Sequence, residues 1–73
     1  MVELVYRQLG NKVEQMRIML GWTQADLAHK VGLSRASIAN LETGRQKVLL
    51  HQLEKLAAAF GCTPKQLLRG IWT

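Results

Sequence analysis

Two side chains in the middle of the chain, Arg35 and Asn40, can each form a pair of hydrogen bonds with a planar partner. Guanidinium and carboxamide groups suit bidentate contacts with the edges of guanine and adenine. At about 100° per residue, both share one side of a short helix with Ala36 and Ala39, whose small side chains would let the backbone approach another surface closely. Similar side chains also occur on ordinary solvated helices, so the interpretation depends on the elements that position them.

The sequence lacks the groupings that support catalysis or metal binding. Its single cysteine, Cys62, cannot form an internal disulfide, and no Cys/His cluster has the spacing of a zinc site. The five acidic residues are spread along the chain, and there is no glycine-rich phosphate loop. We therefore expect no metal, no cofactor, no catalytic residue and no enzymatic activity.

The charge of the chain favours a polyanionic partner. Ten lysine and arginine residues against five acidic residues give a net charge of +5 over 73 residues. Between positions 27 and 53, four basic side chains stand against one acid. There is no signal-peptide pattern, and no apolar run reaches the roughly 18 residues that a membrane span requires. The sequence predicts a soluble, cytoplasmic protein without a membrane partner.

Glycines and capping residues divide the chain into five predicted helices. Five of the six glycines follow a helix-like run, where a residue without Cβ can take the left-handed conformation that closes a helix. Thr23, Ser34 and Thr63 precede three of the runs, where their hydroxyls can cap the helix. The predicted helices are 9–20, 24–31, 35–43, 50–60 and 64–69.

These helices predict one compact all-α domain over residues 9–70. Apolar residues recur at helical spacing in each run, and no repeat, low-complexity tract or linker divides the chain. Residues 1–8 extend the first helix, form an N-terminal arm or contact a partner. Residues 71–73 are expected to form a C-terminal tail.

The second and third predicted helices form a helix-turn-helix. Gly32 supplies the bend between them, and Ala28 is small enough at their crossing to permit close, steep packing. Ile38 and Leu41 face the core, so the side that carries Arg35 faces outward. The third helix would be about 14 Å long, a size that the major groove of DNA accepts.

Four patterns follow one another along the chain: R-x-x-x-G-x-T-Q, L-A-x-x-x-G, S-x-x-x-I-x-x-x-E-x-G and L-x-x-L-A-x-x-F-G. With them, the stretch from Leu9 to Leu68 resembles the DNA-binding domains of lambdoid phage repressors and Cro proteins, in the wider Cro/repressor-type family. The resemblance implies a compact five-helix, lambda repressor-like domain that binds double-stranded DNA in the major groove. It also implies a transcriptional regulator, most often a repressor, on a palindromic operator.

The resemblance assigns individual side chains to the DNA. The residues that match base-contacting positions are Arg35, Ala36, Ser37 and Asn40. Those expected at the phosphates are Thr23, Gln24, Ser34, Arg45, Gln46 and Lys47. Gln24 also matches a glutamine that braces a side chain of the recognition helix, and its backbone N–H lies at a helix N-terminus, which favours anions.

Arg17 and Glu42 match a pair that bridges the first helix to the end of the third. Without the resemblance, each would be read as a solvated charge. A paired Glu42 would be neutralised and would not repel DNA. We assign the pair to stability and not to base readout.

The chain departs from the family in the loop after the third helix. Val48 stands where the family usually has proline, and Leu49 stands where it has a polar cap. Of the apolar run at positions 48–50, only Leu50 is expected in the core. The residues expected at a homodimer interface are Val48, Leu49, Ile71 and Trp72. Such domains commonly dimerise on palindromic sites, although exposed apolar residues are also ordinary on small proteins.

A protein-binding module is the alternative function. Examples are the antitoxin of a toxin–antitoxin pair, with a toxin as partner, or an adaptor that contacts the transcription machinery. The two functions are compatible, because an antitoxin can also bind its own operator. A pure adaptor would tolerate the loss of Arg35 and Asn40, whereas a DNA reader would not.

Overall fold

The computed structural model describes the backbone of residues 2–71 and the side chains of residues 4–71. Within them the chain is all-α, without a strand, which confirms the predicted class. The helices are α1 (Val2–Met19), α2 (Gln24–Val31), α3 (Arg35–Glu42), α4 (Leu50–Phe60) and α5 (Pro64–Leu67). Among these, α1 packs against α3, α3 against α2, and α4 against α2 and α5.

The helix-turn-helix pair α2–α3 begins at side-chain caps. The Thr23 hydroxyl accepts a hydrogen bond from Asp26 N at 3.0 Å, and the Asp26 carboxylate accepts one from Thr23 N at 2.8 Å. The Ser34 hydroxyl accepts from Ser37 N at 3.0 Å. These bonds satisfy backbone donors that have no partner inside the helix, which explains why both helices start where the sequence predicts.

Of the alternatives left open for the start of the chain, the structure shows the extension of the first helix. Residues 2–8 belong to α1, which continues through Gly10. At the other termini the differences are small, since α3 ends at Glu42 and α5 at Leu67. Gly10 thus lies in the interior of α1, where glycine lowers helix stability by about 1 kcal/mol relative to alanine. A compensating contact should therefore explain its presence.

Gly10 allows α1 to approach the end of α3. A Cβ at this position would meet the carbonyl oxygens of Leu41 and Glu42, the latter at 2.8 Å. Gly44, just beyond α3, has φ of +74° and would bring a Cβ to 2.8 Å from the Cα of Arg7. The two glycines therefore place the backbones of α1 and of the α3 C-terminus in direct contact.

The core is formed by apolar side chains of all five helices and the turn after α5. Its buried members are Leu9, Val13, Leu27, Ala28, Val31, Ile38, Leu41, Leu53, Leu56, Ala57, Leu67 and Ile71. Trp22 packs at the edge, stacked on Phe60 at 5.9 Å between ring centroids, with Lys30 Nζ 4.6 Å from the Trp22 ring. These contacts fasten the turn before α2 to the end of α4.

Two expectations about apolar residues were wrong. Leu50 is 80% exposed, because it is the first residue of α4 and helical side chains tilt toward the N-terminus, here beyond the core. Val48 packs against the core in its place. Ile71, assigned to a tail and a dimer interface, is only 6% exposed, because its N–H bonds to Leu68 O at 3.0 Å and the turn folds back onto the core.

Lys12 closes the C-terminal side of the domain. Its Nζ donates hydrogen bonds to Gln66 O at 3.1 Å and to Arg69 O at 2.9 Å. A cation at the carbonyl end of a helix satisfies acceptors that the helix leaves open. None of the helices within residues 2–71 is long and apolar enough to cross a membrane.

Candidate nucleic-acid interface

The outer face of α3 carries the side chains that the sequence predicts at DNA bases. Arg35, Ala36 and Asn40 are exposed, and Ser37 is half-buried. The opposite face holds Ile38 at 0% exposure. The structure thus brings the four residues together on one short surface helix of about 12 Å.

A hydrogen bond connects the starts of α2 and α3. Arg35 Nη1 donates to Gln24 Oε1 at 3.2 Å, which joins the first residues of the two helices. The two helix N-termini therefore lie next to each other. Helix N-termini attract anions through their free N–H groups and the positive end of the helix dipole.

The Arg17–Glu42 pair lies behind this surface. Arg17 Nε is 2.6 Å from Glu42 Oε2, and the side chains are 11% and 1% exposed. Arg17 Nη2 donates to Glu42 Oε1 at 3.1 Å, so the guanidinium binds the carboxylate in a bidentate geometry. These bonds raise the pKa of Arg17 against the opposing effect of desolvation.

Gln24 joins the ion pair to the N-terminal end of α3. Its Nε2 donates to Glu42 Oε1 at 3.0 Å, while its Oε1 accepts from Arg35. A continuous chain of hydrogen bonds therefore runs from Arg17 in α1 through Glu42 and Gln24 to Arg35. The link between Gln24 and Glu42 was not predicted, because the two residues are 18 positions apart and no local pattern relates them.

The loop after α3 supplies further positive charge. Arg45 and Lys47 are exposed, and Gln46 is half-buried. A Schellman cap ends α3 before this loop, since Gly44 N donates to Leu41 O at 3.1 Å and Arg45 N donates to Asn40 O at 2.8 Å. The expected phosphate-binding side chains thus lie at both ends of α3: Thr23, Gln24 and Ser34 at its start, and Arg45, Gln46 and Lys47 past its end.

Asp26 is an acidic side chain close to this surface, and its place there is explained by its role in the cap of α2. The hydrogen bond from Thr23 N lowers the pKa of Asp26, followed by the bond with the Thr23 hydroxyl. Its negative charge lies in the first turn of α2, where it interacts favourably with the positive end of the helix dipole. Asp26 therefore has a structural partner at the edge of the candidate interface.

An apolar groove lies away from α3. It has a volume of about 300 Å³ and is lined by Val5, Tyr6, Leu9, Val48, Leu50, Leu53 and Leu68. Leu49 beside it is 54% exposed. Two of the four expected dimer contacts, Val48 and Leu49, thus lie at or next to this groove, while Trp72 lies outside the described residues.

The sequence and fold of the chain match known proteins. A helix-turn-helix family model matches residues 13–67. A hypothetical transcription factor of Neisseria meningitidis serogroup B is 37% identical over 60 residues, covering 82% of this chain and 57% of that protein. The antitoxin HipB of Escherichia coli K12 is 37% identical over 49 residues, covering 67% of this chain and 56% of that protein. The chain spans little more than half the length of the first curated relatives that it matches.

A solved structure has the same arrangement of helices. The restriction-modification controller protein C.AhdI from Aeromonas hydrophila superimposes with a TM-score of 0.81 at 31% sequence identity. The match covers 85% of this chain and 94% of that one. The chain therefore belongs to the helix-turn-helix family of the Cro/C1 type, and its relatives include a hypothetical transcription factor and a restriction-modification controller protein.

Proposed function

We propose that this domain reads a DNA sequence by inserting α3 into the major groove. In this proposal it regulates transcription as a repressor that occupies its operator. The observation that carries the proposal is the placement of Arg35. It stands exposed at the start of α3, held by Gln24, beside the small Ala36 and on the same face as Asn40. Arginine so placed suits guanine, and asparagine suits adenine.

Phosphate contacts supply affinity in this proposal. The N-termini of α2 and α3 lie next to each other, and Arg45 and Lys47 extend positive charge past the other end of α3. Lysine and arginine that neutralise phosphates release counterions and bind all sequences alike. Base discrimination is then left to Arg35 and Asn40, with Ala36 against a thymine methyl group.

We further propose that two copies bind a palindromic operator. The apolar groove beside Val48, together with the exposed Leu49 and Leu50, offers a surface for the second copy. A two-fold dimer places its recognition helices about one helical turn of DNA apart, so the protein symmetry matches a palindrome. The function requires no cofactor and no catalytic group, and it is carried out in the cytoplasm.

The first test is a selection of bound duplexes from a random pool at about 150 mM salt, where non-specific phosphate binding is weak. The proposal expects enrichment of a palindrome whose half-sites lie about one helical turn apart. A folded, helical protein that enriches no sequence would refute the DNA-reading function.

A protein-binding role is the second candidate, and the similarity to an antitoxin favours it. In that role the apolar groove and Leu49 would hold a partner such as a toxin or a component of the transcription machinery. Replacing Leu49 and Leu50 by serine separates the two roles. A regulator that uses this surface for its second copy would lose cooperative binding to the palindrome but keep half-site preference. A pure adaptor would show no half-site preference before or after the change.

A further inference from the structure

We propose that Glu42 is a positioning residue for base readout, which orients the Gln24 amide so that its carbonyl oxygen holds Arg35. The inference rests on the proposed DNA-reading function. It adds a role in specificity to an ion pair that otherwise serves only stability.

The position of Glu42 permits this role. The residue is 2% exposed and lies at the last position of α3. Its Oε1 accepts hydrogen bonds from both Arg17 Nη2 at 3.1 Å and Gln24 Nε2 at 3.0 Å. A buried carboxylate thus contacts the same glutamine that contacts the exposed Arg35.

The polarity of the groups fixes the orientation of the amide. A carboxylate only accepts hydrogen bonds, and a guanidinium only donates them. An amide between the two makes both bonds in a single orientation, with Nε2 toward Glu42 and Oε1 toward Arg35. In the reversed orientation, oxygen would face oxygen and N–H groups would face N–H groups. Glu42 therefore accepts from both Arg17 and Gln24 Nε2, and Gln24 Oε1 in turn accepts from Arg35.

Arg17 keeps the carboxylate in place. Besides its two bonds to Glu42, it donates from Nη1 to Trp22 O at 2.8 Å. The guanidinium is therefore tied to the turn before α2 as well as to α3. Because this end of the chain of bonds is buried and fixed, the orientation of Gln24 is determined before DNA arrives.

The consequence for Arg35 is preorganisation. An exposed arginine must lose side-chain freedom when it binds a base, and that loss weakens discrimination. A carbonyl oxygen held at 3.2 Å from Nη1 removes part of the cost in the free protein. Loss of the Glu42 anchor should therefore lower base discrimination even where the fold is intact.

The test uses a double variant, Arg17→Met with Glu42→Leu. Replacing a buried ion pair by apolar residues of similar volume is often neutral for stability, so the fold should persist while Gln24 loses its acceptor. The measured quantity is the ratio of Kd values for the selected duplex and for a duplex changed at the base pair that Arg35→Ala identifies. We expect this ratio to fall about fivefold, the equivalent of one hydrogen bond.

Two further variants isolate the mechanism. Gln24→Met removes the amide at similar length and should lower the ratio to the same extent, and combining it with the double variant should cause no further loss. Glu42→Asp keeps a carboxylate that can pair with Arg17, but its shorter side chain moves the acceptor away from Gln24. This variant provides the test if the double variant does not fold. Gln15→Met changes an exposed glutamine of α1 and should leave the ratio unchanged.

The outcomes are distinct. Unchanged discrimination in the double variant and in Glu42→Asp, with Arg35→Ala still abolishing it, would overturn the positioning role alone. A wild-type protein that discriminates at no base pair would overturn the DNA-reading function, and the positioning role with it.

Discussion

The two ends of α3 are held in different ways. At the C-terminal end, Glu42 is buried against Arg17, and Gly10 and Gly44 let the backbone of α1 lie directly against the helix. At the N-terminal end, Ser34 and Arg35 are exposed and are held by a hydroxyl cap and one amide. A short helix can thus be anchored by one end while its other end stays accessible.

This difference places the main stabilising contacts and the proposed base-reading Arg35 at opposite ends of an eight-residue helix, with the Gln24 amide as the link between them. Changes at the anchored end should reduce the free energy of unfolding. Changes at the open end should alter binding and should cost no more than about 1 kcal/mol of that free energy. The five predictions that follow test this separation.

Arg17→Ala should have the largest effect on stability, a loss of about 3–5 kcal/mol, because it leaves the buried Glu42 carboxylate without its charged partner. Urea denaturation followed by circular dichroism measures it. Arg69→Ala, which removes an exposed arginine, should change stability by no more than about 0.5 kcal/mol. Equal midpoints for the two variants would show that the α3 C-terminus is not anchored by the pair.

Gly10→Ala should destabilise the protein by about 3 kcal/mol, because the new methyl group meets the carbonyl oxygens of Leu41 and Glu42. Helix propensity alone predicts the opposite sign, a gain of about 1 kcal/mol. A thermal melt therefore decides between packing and propensity. A higher melting temperature for the variant would contradict the close approach of α1 to α3.

Arg35→Ala should weaken binding to the selected duplex by about 1–3 kcal/mol and relax preference at one base pair. Stability should be unchanged, since the side chain is exposed. Competition binding against duplexes changed one base pair at a time measures the preference. If the variant and the wild type distinguish cognate from scrambled duplexes equally well, Arg35 does not read a base.

Ser34→Ala should cost about 1 kcal/mol of stability, because it removes the cap of α3. Thr63→Ala removes the corresponding cap of α5 and should cost about the same. Only the change at Ser34 lies at the candidate interface, so only it should also weaken DNA binding. A matching loss of binding in Thr63→Ala would indicate that global stability, and not the open end of α3, controls affinity.

Lys47→Ala should have the smallest effect and should weaken binding to every sequence alike. The slope of log K against log salt should become shallower by about one unit, as expected for one lost phosphate contact. Lys65→Ala removes an exposed lysine of α5 and provides the matched control, for which no change in slope is expected. A loss confined to one base position would identify Lys47 as a reader.

Local chemistry made most of the fold predictable from the sequence. The starts of α2, α3 and α5 follow from Thr23, Ser34 and Thr63, whose hydroxyls act within three residues of themselves. The pairing of Arg17 with Glu42 came from the family resemblance, and the structure contains it. The all-α class and five helices followed from these caps and the glycine stops.

What the sequence left open depends on contacts between distant segments. Gly10 lies inside a helix because a Cβ there would clash with carbonyl groups more than 30 positions away in the sequence, and no local pattern reveals that contact. Leu50 was expected in the core, but Val48 packs there and Leu50 is exposed, because loop geometry decides which of two nearby apolar residues reaches the core. In the candidate site, the bond of the Gln24 amide to Arg35 fits the brace that the resemblance implies, whereas its bond to Glu42 at the other end of α3 is seen only in the fold.

The hydrogen bond between Gln24 and Arg35 has a consequence for how such regulators diverge after gene duplication. A copy that adapts to a new operator can replace Ala36 or Asn40 singly, since these side chains project outward from α3. Arg35 cannot change as freely, because a new side chain there must suit the carbonyl oxygen that Gln24 presents. Paralogues with different operators should therefore covary at positions 24 and 35, vary independently at 36 and 40, and retain glycine at 10 and 44.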